Sequence, residues 1–432
     1  MAAAKRVLVV GGGFGGMYTA RRLERLLPAG TAEIVLVNPE NFMLFTPLLP
    51  EAAAGTIEPR HVVVPLRRVL RRTRLLLGRL TDLDLATRTA VVVPPEGEAR
   101  TLTWDRLVLA LGSVSRLLPI DGLAEHARGF KTLAEGIYLR NQVLQQLELA
   151  DASDDAEDRR TRCTFVVVGA GYAGTELVAE LQSLTTRALR AYPGLRPRDV
   201  RWVLVDVAKQ ILPELGPELG RTALRTLRRR GVEVHLETEV RKVTAASVLL
   251  SDGDEIPTRT LVWTAGVVPD PLVARLGLPV DARGRLTVDR HLKVHGRDDV
   301  FALGDCAAVP DPAEPRGFAP PTAQHALRQA KACAANVAAS LGEGEPVAFR
   351  FKGLGLLVNL GDFKGVARVR AVPLTGFAGW ALTRSYHLLA MPTWGRRLRV
   401  ALDWGVALLF PSDIAELGSL GRDSLPSPRP AG

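Results

Sequence analysis

The chain of 432 residues has only three cysteines, Cys163, Cys306 and Cys333, and none of them stands in a C-x-x-C pair. A disulfide framework, a dithiol redox centre and a metal site are therefore not expected. No apolar run reaches the roughly 18 uncharged residues of a transmembrane helix. Met1 to Arg6 is too short a stretch before the first predicted strand to serve as a signal peptide.

Aromatic residues are also scarce, at 5%, and no nucleic-acid recognition motif accompanies the formal net charge of +10. Nucleic acid is therefore not expected as a partner. The basic balance favours an anionic membrane surface, although a solvated basic surface would explain the charge by itself. With 47% hydrophobic and 24% charged residues, a chain of this length predicts a globular protein of two or three domains.

A strand, a glycine-rich loop, a helix and a second strand occur in this order twice along the chain, which predicts two βαβ units. The first unit comprises strand 6–10, the loop Gly11-Gly-Gly-Phe-Gly-Gly16, helix 17–27 and strand 33–37. The second comprises strand 164–168, the loop Gly169-Ala-Gly-Tyr-Ala-Gly174, helix 175–184 and strand 201–205. The third strands also match, at 106–112 and 260–266. The fold class is thus α/β with two Rossmann-like dinucleotide-binding domains.

Each loop has the spacing G-x-G-x-x-G, in Gly11, Gly13 and Gly16 and again in Gly169, Gly171 and Gly174. Glycines at these places allow a tight turn, close approach of a pyrophosphate, and helix–strand packing. The helix that follows then offers free N–H groups and its dipole to the phosphates. One such match is weak, but two in matching contexts indicate nucleotide binding.

Polar residues at the strand ends are the candidate ribose ligands. Asn38 stands where an acidic residue is usual, with Glu40 two residues later, and Asp206 occupies the place in the second unit. A carboxylate there repels a 2′-phosphate, which favours NADH over NADPH, although an exposed turn residue is the alternative. Gly304-Asp305 follows a strand predicted at 299–303 and is interpreted as a flavin hydroxyl acceptor rather than an ordinary turn.

A helix predicted at 322–340 begins after two prolines, with Thr322 as its cap. If its N-terminus faces a flavin, its dipole stabilises the reduced anion, and Gln324 lies near the ring with Gln329 further along. An ordinary amphipathic helix is the alternative. Cys306 is interpreted as a small structural residue because no partner thiol is near it in sequence.

These features resemble the type II NADH dehydrogenases, the single-subunit NADH:quinone oxidoreductases of respiratory membranes, over about residues 5 to 415. The matching segments are Gly11–Gly16, Phe45-Thr-Pro-Leu-Leu-Pro-Glu51, Ala110-x-Gly112, Gly169–Glu176, Gly304-Asp-Cys-Ala307 and Ala323-Gln324-x-Ala326-x-x-Gln329. Asn38 and the C-terminal region depart from the family pattern.

The resemblance implies FAD at the first unit, NADH at the second and a membrane quinone as acceptor. Glu176, Gln324 and Gln329 would be the catalytic residues, with Glu176 near the nicotinamide–flavin contact and both glutamines in the quinone pocket. Cofactor contacts are expected from the two loops and strand ends, namely Gly11, Gly13, Phe14, Gly15, Gly16, Asn38, Thr46, Pro47, Ala110, Gly112, Gly169, Gly171, Tyr172, Ala173, Gly174, Glu176, Asp206, Ala265, Gly266, Gly304, Asp305, Ala323 and Gln324.

Other functions stay open at this point. A sulfide:quinone oxidoreductase needs cysteines beside the flavin, and only Cys306 is a candidate. A soluble FAD-dependent NADH reductase of a carrier protein would suit the basic charge but leaves the Gln324 helix and the apolar C-terminal segment unexplained. A flavin redox sensor with little turnover is the alternative from another class.

The expected domains are the first part of the FAD domain at 1–120, an NADH domain at 160–295, the second part of the FAD domain at 296–345, a C-terminal region at 346–420 and a disordered tail at 421–432. Residues 380–410 are rich in tryptophan and apolar side chains, and Arg396, Arg399 and Asp403 fall on one helical stripe. We expect this segment, as one helix or two, to lie in the membrane interface with its arginines toward headgroups, on the cytoplasmic face. A homodimer interface or a helix packed on the flavin domain is the alternative.

Overall fold

The computed structural model describes residues 5–312, 317–351, 353, 355–370 and 372–416. The predicted tail at 421–432 lies outside these residues. The chain divides into two compact units. Unit 1 combines residues 1–44, 63–114 and 267–352, and unit 2 combines residues 45–62, 115–266 and 353–432.

The strands and helices of the described residues follow one another closely. The strands are β1 (Lys5–Val10), β2 (Ala32–Asn38), β3 (Phe42–Leu44), β4 (Val63–Pro65), β5 (Arg74–Leu77), β6 (Arg79–Asp84), β7 (Thr89–Val93), β8 (Arg100–Thr103), β9 (Arg106–Leu109), β10 (Ser113–Ser115), β11 (Ala127–Gly129), β12 (Thr164–Val168), β13 (Arg201–Val205), β14 (Val232–His235), β15 (Val240–Val243), β16 (Ser247–Leu250), β17 (Glu255–Pro257), β18 (Thr260–Trp263), β19 (Val267–Pro269), β20 (Leu286–Thr287), β21 (Val300–Ala302), β22 (Ala307–Ala308), β23 (Gly355–Asn359), β24 (Gly365–Val369) and β25 (Val372–Thr375). The α-helices are α1 (Phe14–Leu26), α2 (Leu49–Ala53), α3 (Leu66–Val69), α4 (Leu123–His126), α5 (Leu133–Asp151), α6 (Ala156–Arg162), α7 (Tyr172–Ala188), α8 (Pro217–Arg229), α9 (Ala323–Ala339), α10 (Gly376–Ala390) and α11 (Trp394–Leu409).

Unit 1 is built on a five-stranded sheet in the order β21-β9-β1-β2-β5, in which every pair is parallel. The apolar run that predicted β1 is explained by burial, since Val7, Leu8 and Val9 are 0% exposed. Strands covered on both faces need such continuous apolar runs. Helix α1 packs on α9, and an antiparallel sheet of β6, β7 and β8 completes the unit.

Unit 2 repeats this plan with the parallel sheet β11-β18-β12-β13-β14. In both sheets the strand before the glycine loop is central, with the second strand on one side and the third on the other. The unit also contains two antiparallel sheets, β15-β16-β17 and β23-β24-β25, and the C-terminal helices α10 and α11. The predicted pair of Rossmann-like sheets is therefore confirmed.

Helix boundaries differ from the sequence prediction in a consistent way. Helices α1 and α7 begin three residues earlier than predicted, because the second half of each glycine loop is already helical. Strand β21 is shorter than predicted, at Val300–Ala302, whereas Thr322 caps α9 as expected by accepting a hydrogen bond from the His325 N–H. The C-terminal segment forms two helices, α10 and α11, rather than one. No helix in the described part of the chain is long and apolar enough to cross a bilayer.

Candidate functional site

The first glycine loop uses each glycine for a different reason. Gly11 has φ +102°, and its N–H donates to the Val37 carbonyl at 2.8 Å. A Cβ on Gly16 would overlap the Gly11 carbonyl oxygen, so this position must lack a side chain for α1 to approach β1. A Cβ on Gly13, in contrast, would meet no protein atom within 4 Å. Packing of the chain therefore does not require glycine at position 13. A ligand that occupies the open space beside it would explain why this residue has no side chain.

The second loop has the same division of roles. Gly169 has φ +109° and its N–H donates to the Val205 carbonyl at 2.8 Å. A Cβ on Gly174 would overlap the Gly169 carbonyl oxygen, whereas a Cβ on Gly171 would again meet no protein atom within 4 Å. The phenol of the neighbouring Tyr172 is buried and has no hydrogen-bond partner among the described residues. Its unmet O–H adds to the case for a ligand here.

The helices that follow the two loops begin without a side-chain cap, at Gly13 for α1 and at Gly171 for α7. Among the described residues, three other helices have a side-chain cap, α5 at Thr132, α6 at Asp155 and α9 at Thr322, whereas α8, α10 and α11 also begin without one. The first N–H groups of α1 and α7 are thus left for an anion, which the helix dipole also favours. The residues present therefore fit two dinucleotide pyrophosphates.

The strand-end residues Asn38 and Asp206 occupy equivalent positions and make equivalent contacts. The Gly12 N–H donates to Asn38 Oδ1 at 2.7 Å, and the Ala170 N–H donates to Asp206 Oδ2. Asn38 Nδ2 also donates to the Glu40 carbonyl, and Asp206 Oδ1 accepts from the Ala208 N–H, each at 2.7 Å. Both side chains therefore hold their glycine loop in place, a role that strand-end position alone did not predict.

In unit 1, the loops that follow β9 and β21 bring further predicted residues to the carboxyl edge of the parallel sheet. Asp305 accepts a hydrogen bond from Ser113 Oγ at 2.6 Å, and the Gly304 N–H donates to Gln329 Oε1 at 2.7 Å. Gln329 is only 2% exposed, so its carbonyl oxygen positions Gly304, while Gln324 is half-buried. The predicted quinone-pocket role of both glutamines stays a prediction.

The remaining predicted residues are placed by their own units. In unit 1, the Phe14 ring stacks on the Tyr18 ring, and a Cβ on Gly15 would contact Leu303 and Ala110. Gly112 has φ +73°. Ala323 is the first residue of α9. In unit 2, Ala173 is exposed, Ala265 and Gly266 follow β18, and Thr46 and Pro47 begin a 3-10 helix at Thr46–Leu48.

Unit 2 contains a buried carboxyl cluster, defined as Glu51, Glu176 and Glu180. Of these three residues only Glu176 was predicted from the sequence as a site residue. The three side chains meet at Asn359: its N–H donates to Glu176 at 2.8 Å, and its Nδ2 donates to Glu180 at 2.9 Å and to Glu51 at 3.1 Å. Arg384 of α10 forms an ion pair with Glu51 at 2.9 Å, and the Trp404 indole of α11 donates to the same oxygen at 2.6 Å. Glutamates at 51, 176 and 180 stand among apolar residues of helices, and this pattern in the sequence could have indicated that the carboxyl groups are buried.

Burial determines the protonation of this cluster. Burial, together with the nearby Glu51 charge, raises the pKa of Glu176 to about 8 and the pKa of Glu180 to about 7. Glu51 has the guanidinium of Arg384 against it, and that guanidinium lies between the Trp380 and Trp404 rings, at 4.8 and 4.7 Å. Glu176 and Glu180 therefore keep their protons to a higher pH than an ordinary carboxyl group does.

The three cysteines are free and buried. Burial raises the pKa of Cys163 and of Cys333 to about 12 and the pKa of Cys306 to about 11. The Cys306 thiol donates to the Leu303 carbonyl at 3.3 Å. Such thiols are poor nucleophiles, which argues against the sulfide-oxidising alternative and fits the structural interpretation of Cys306.

The charged stripe of α11 corrects one expectation. Arg396 donates to the Arg60 carbonyl at 2.7 Å, and Asp403 contacts His61 at 2.6 Å and accepts from the Glu58 N–H. Arg396 and Asp403 therefore face the protein instead of headgroups, and of the predicted stripe only Arg399 is exposed. The stripe was predicted correctly, but not the direction in which it faces, because its contacts are with residues 336 to 345 positions earlier in the sequence.

We expect Gly13→Val to fold normally but to lose flavin, since its side chain enters space that no protein atom occupies. Gly16→Ala is the matched variant, and its methyl group overlaps a carbonyl, so both stability and flavin should fall. Flavin absorbance per chain and thermal unfolding measure the two effects. Full flavin content in Gly13→Val would refute the assignment of this loop.

Glu180→Gln should make the protein more stable at alkaline pH. A carboxyl whose pKa is raised on folding stabilises the fold below its ordinary value of 4.5, and this contribution is lost as pH rises toward about 7. Glutamine keeps an acceptor for Asn359 and cannot ionise, so its unfolding temperature should exceed wild type by roughly 2 °C at about pH 8, with the gap closing toward about pH 5. The exposed Glu218→Gln is the control, and an equal response of both variants would contradict the burial of an acid at 180.

Comparison with known proteins identifies the family to which the chain belongs. A family model for pyridine nucleotide-disulphide oxidoreductases matches residues 5–330. A type II NADH:quinone oxidoreductase of Mycobacterium tuberculosis is 32% identical, covering 94% of this chain and 88% of the relative. Demethylphylloquinone reductase of Synechocystis is 33% identical, covering 93% and 96%. The structure of NDH2 from Plasmodium falciparum in complex with NADH has the same fold, with a TM-score of 0.87 at 18% identity, covering 95% of this chain and 99% of that one. The chain therefore belongs to the pyridine nucleotide-disulphide oxidoreductases and, among them, to the type II NADH:quinone oxidoreductases.

Proposed function

We propose that the chain oxidises NADH and reduces a membrane quinone, with FAD in the loop of unit 1 and NADH in the loop of unit 2. The observation that supports this most is the pair of uncapped helix N-termini behind glycines that packing does not require. When bound at this loop, FAD would supply the two-electron redox chemistry that links NADH to the acceptor. A carrier-protein reductase or a sensor has no comparable support from the relatives, which are named for quinones.

The chain's own residues position the cofactors and handle protons. Asp305 and Ser113 form a polar pair for a flavin hydroxyl, and Gln329 fixes the backbone at Gly304 beside them. Glu176 accepts from Asn359 through Oε1, so the proton it holds near neutral pH is on Oε2. Reduction of a quinone to a quinol consumes two protons, and we assign one of them to this carboxyl.

Steady-state oxidation of NADH tests the function directly. With a soluble benzoquinone the purified holoenzyme should turn over many times, whereas sulfide as donor or an acidic electron-carrier protein as acceptor should give little. A single reduction of the flavin followed by no turnover with quinone would instead identify a sensor and overturn the proposal.

Asp206→Asn should narrow the preference for NADH over NADPH about tenfold, because it removes the charge that repels the 2′-phosphate. The first unit already has asparagine at the equivalent position 38, with its loop contact intact, so the variant should fold. The ratio of the two kcat/KM values measures the effect. Asp206→Ala is the control, since it also loses the acceptor for the Ala170 N–H and should weaken both dinucleotides. An unchanged ratio in Asp206→Asn would show that another residue sets the preference.

We place the protein at the cytoplasmic face of the membrane as a peripheral protein, with α11 as its contact. The outer side of α11 presents apolar side chains, with Leu402, Val406 and Leu409 being 59%, 57% and 81% exposed. No ion pair is broken when this apolar face enters the membrane interface. Burial of apolar side chains would therefore supply most of the free energy of membrane binding. A homodimer through the same face remains the alternative prediction.

Replacing Leu402 and Leu409 together by glutamate should abolish sedimentation with anionic liposomes, because two charges then enter the apolar boundary. The control replaces Leu149 and Val280, 44% and 43% exposed, in the same way. Binding of wild type should persist at high salt, since Arg396 is engaged with the protein. Equal binding by the double variant and wild type would exclude α11 as the contact.

A further inference from the structure

One face of α10 is turned toward the protein, and His387 lies on it. Trp380, Thr383, Arg384 and His387 follow the helical spacing of three and four residues. Thr383 is 3% exposed, and Arg384 reaches Glu51 in the buried carboxyl cluster. His387 is one turn further along than Arg384, and its ring meets the Phe45 ring edge-on at 6.4 Å.

The two nitrogens of the His387 imidazole are buried polar atoms without a hydrogen-bond partner among the described residues. Burial lowers the pKa of His387 to about 4, so the ring is neutral and offers one N–H donor and one acceptor nitrogen. Buried polar groups in proteins are nearly always satisfied, which makes two unmet ring nitrogens an indication of a missing partner.

The surroundings define the chemistry of that partner. The Phe45 and Tyr386 rings lie against His387, and Met391, one turn beyond it, is 0% exposed. Leu389 of α10 and Trp394, the first residue of α11, are 67% and 74% exposed, so apolar surface continues outward from this region. A ligand here would be apolar over most of its surface and would have one oxygen for the imidazole. A quinone headgroup has this chemistry.

We propose that His387 contacts the acceptor quinone and hydrogen-bonds one of its oxygens. This inference rests on the proposed function and names a residue of the acceptor pocket. The neutral ring donates its N–H to a quinone carbonyl and, in the other tautomer, accepts from a quinol hydroxyl. No proton is transferred to the ring, and the two protons of the reaction come from elsewhere.

The test compares His387→Phe, which removes both nitrogens and keeps a ring, with His387→Gln, which restores a donor and an acceptor. The acceptors are a soluble short-chain benzoquinone and ferricyanide, which takes electrons without a hydrogen bond to the protein. In His387→Phe the kcat/KM for the quinone should fall about fivefold to tenfold, as the loss of one hydrogen bond predicts. Ferricyanide turnover and flavin reduction by NADH should stay within about twofold of wild type, and His387→Gln should recover most of the quinone kcat/KM.

Three results would overturn the inference. An unchanged quinone kcat/KM in a folded His387→Phe would show that the ring does not contact the acceptor. An equal fall with quinone and ferricyanide, without rescue by glutamine, would indicate a structural role. A wild-type enzyme that reduces ferricyanide with NADH but no quinone would remove the proposed function and this inference with it. If His387→Phe loses its flavin, His387→Met takes its place, with the same readings.

Discussion

The close approach of helix to strand at each glycine loop is the constraint on which both candidate cofactor sites depend. In each loop the first glycine's carbonyl oxygen occupies the space that a Cβ on the last glycine would need. Because of this approach, α1 and α7 begin at the ends of β1 and β12 with no side chain over their first N–H groups. The same turn brings a strand-end side chain within hydrogen-bond distance of the loop, as Asn38 and Asp206 show. Two candidate phosphate-binding positions thus follow from one backbone geometry used twice.

The two copies differ in charge rather than in geometry. Asn38 and Asp206 accept from equivalent backbone N–H groups, but only Asp206 brings a formal charge. The buried carboxyl cluster has no counterpart in the contacts described for unit 1, and it links the loop helix α7 to α10 and α11 through Asn359, Arg384 and Trp404. The backbone plan is thus repeated in the two units, while the charged side chains beside it differ.

The sequence predicted what depends on local pattern. Strands β12 and β13 were predicted to the residue, since their apolar runs end at a glycine loop and at Asp206. It did not predict the meeting of Glu51, Glu180 and Arg384, because these residues come from segments up to 333 residues apart and each alone resembles an ordinary helical residue. The direction of the α11 stripe was wrong for the same reason, since periodicity gives the two faces of a helix but not which face is covered. The role of Gln329 in fixing Gly304 likewise depends on a contact between α9 and a loop 25 residues earlier.

We propose that one chain holds an electron-accepting flavin and an electron-donating nicotinamide in two separate loops and passes the electrons to quinone. An anaerobic titration of the holoenzyme with NADH, followed by quinone, measures this most directly. About one equivalent of NADH per FAD should bleach the flavin absorbance, and about one equivalent of quinone should restore it. Flavin that NADH leaves oxidised, or that quinone fails to reoxidise once reduced, would contradict the proposal.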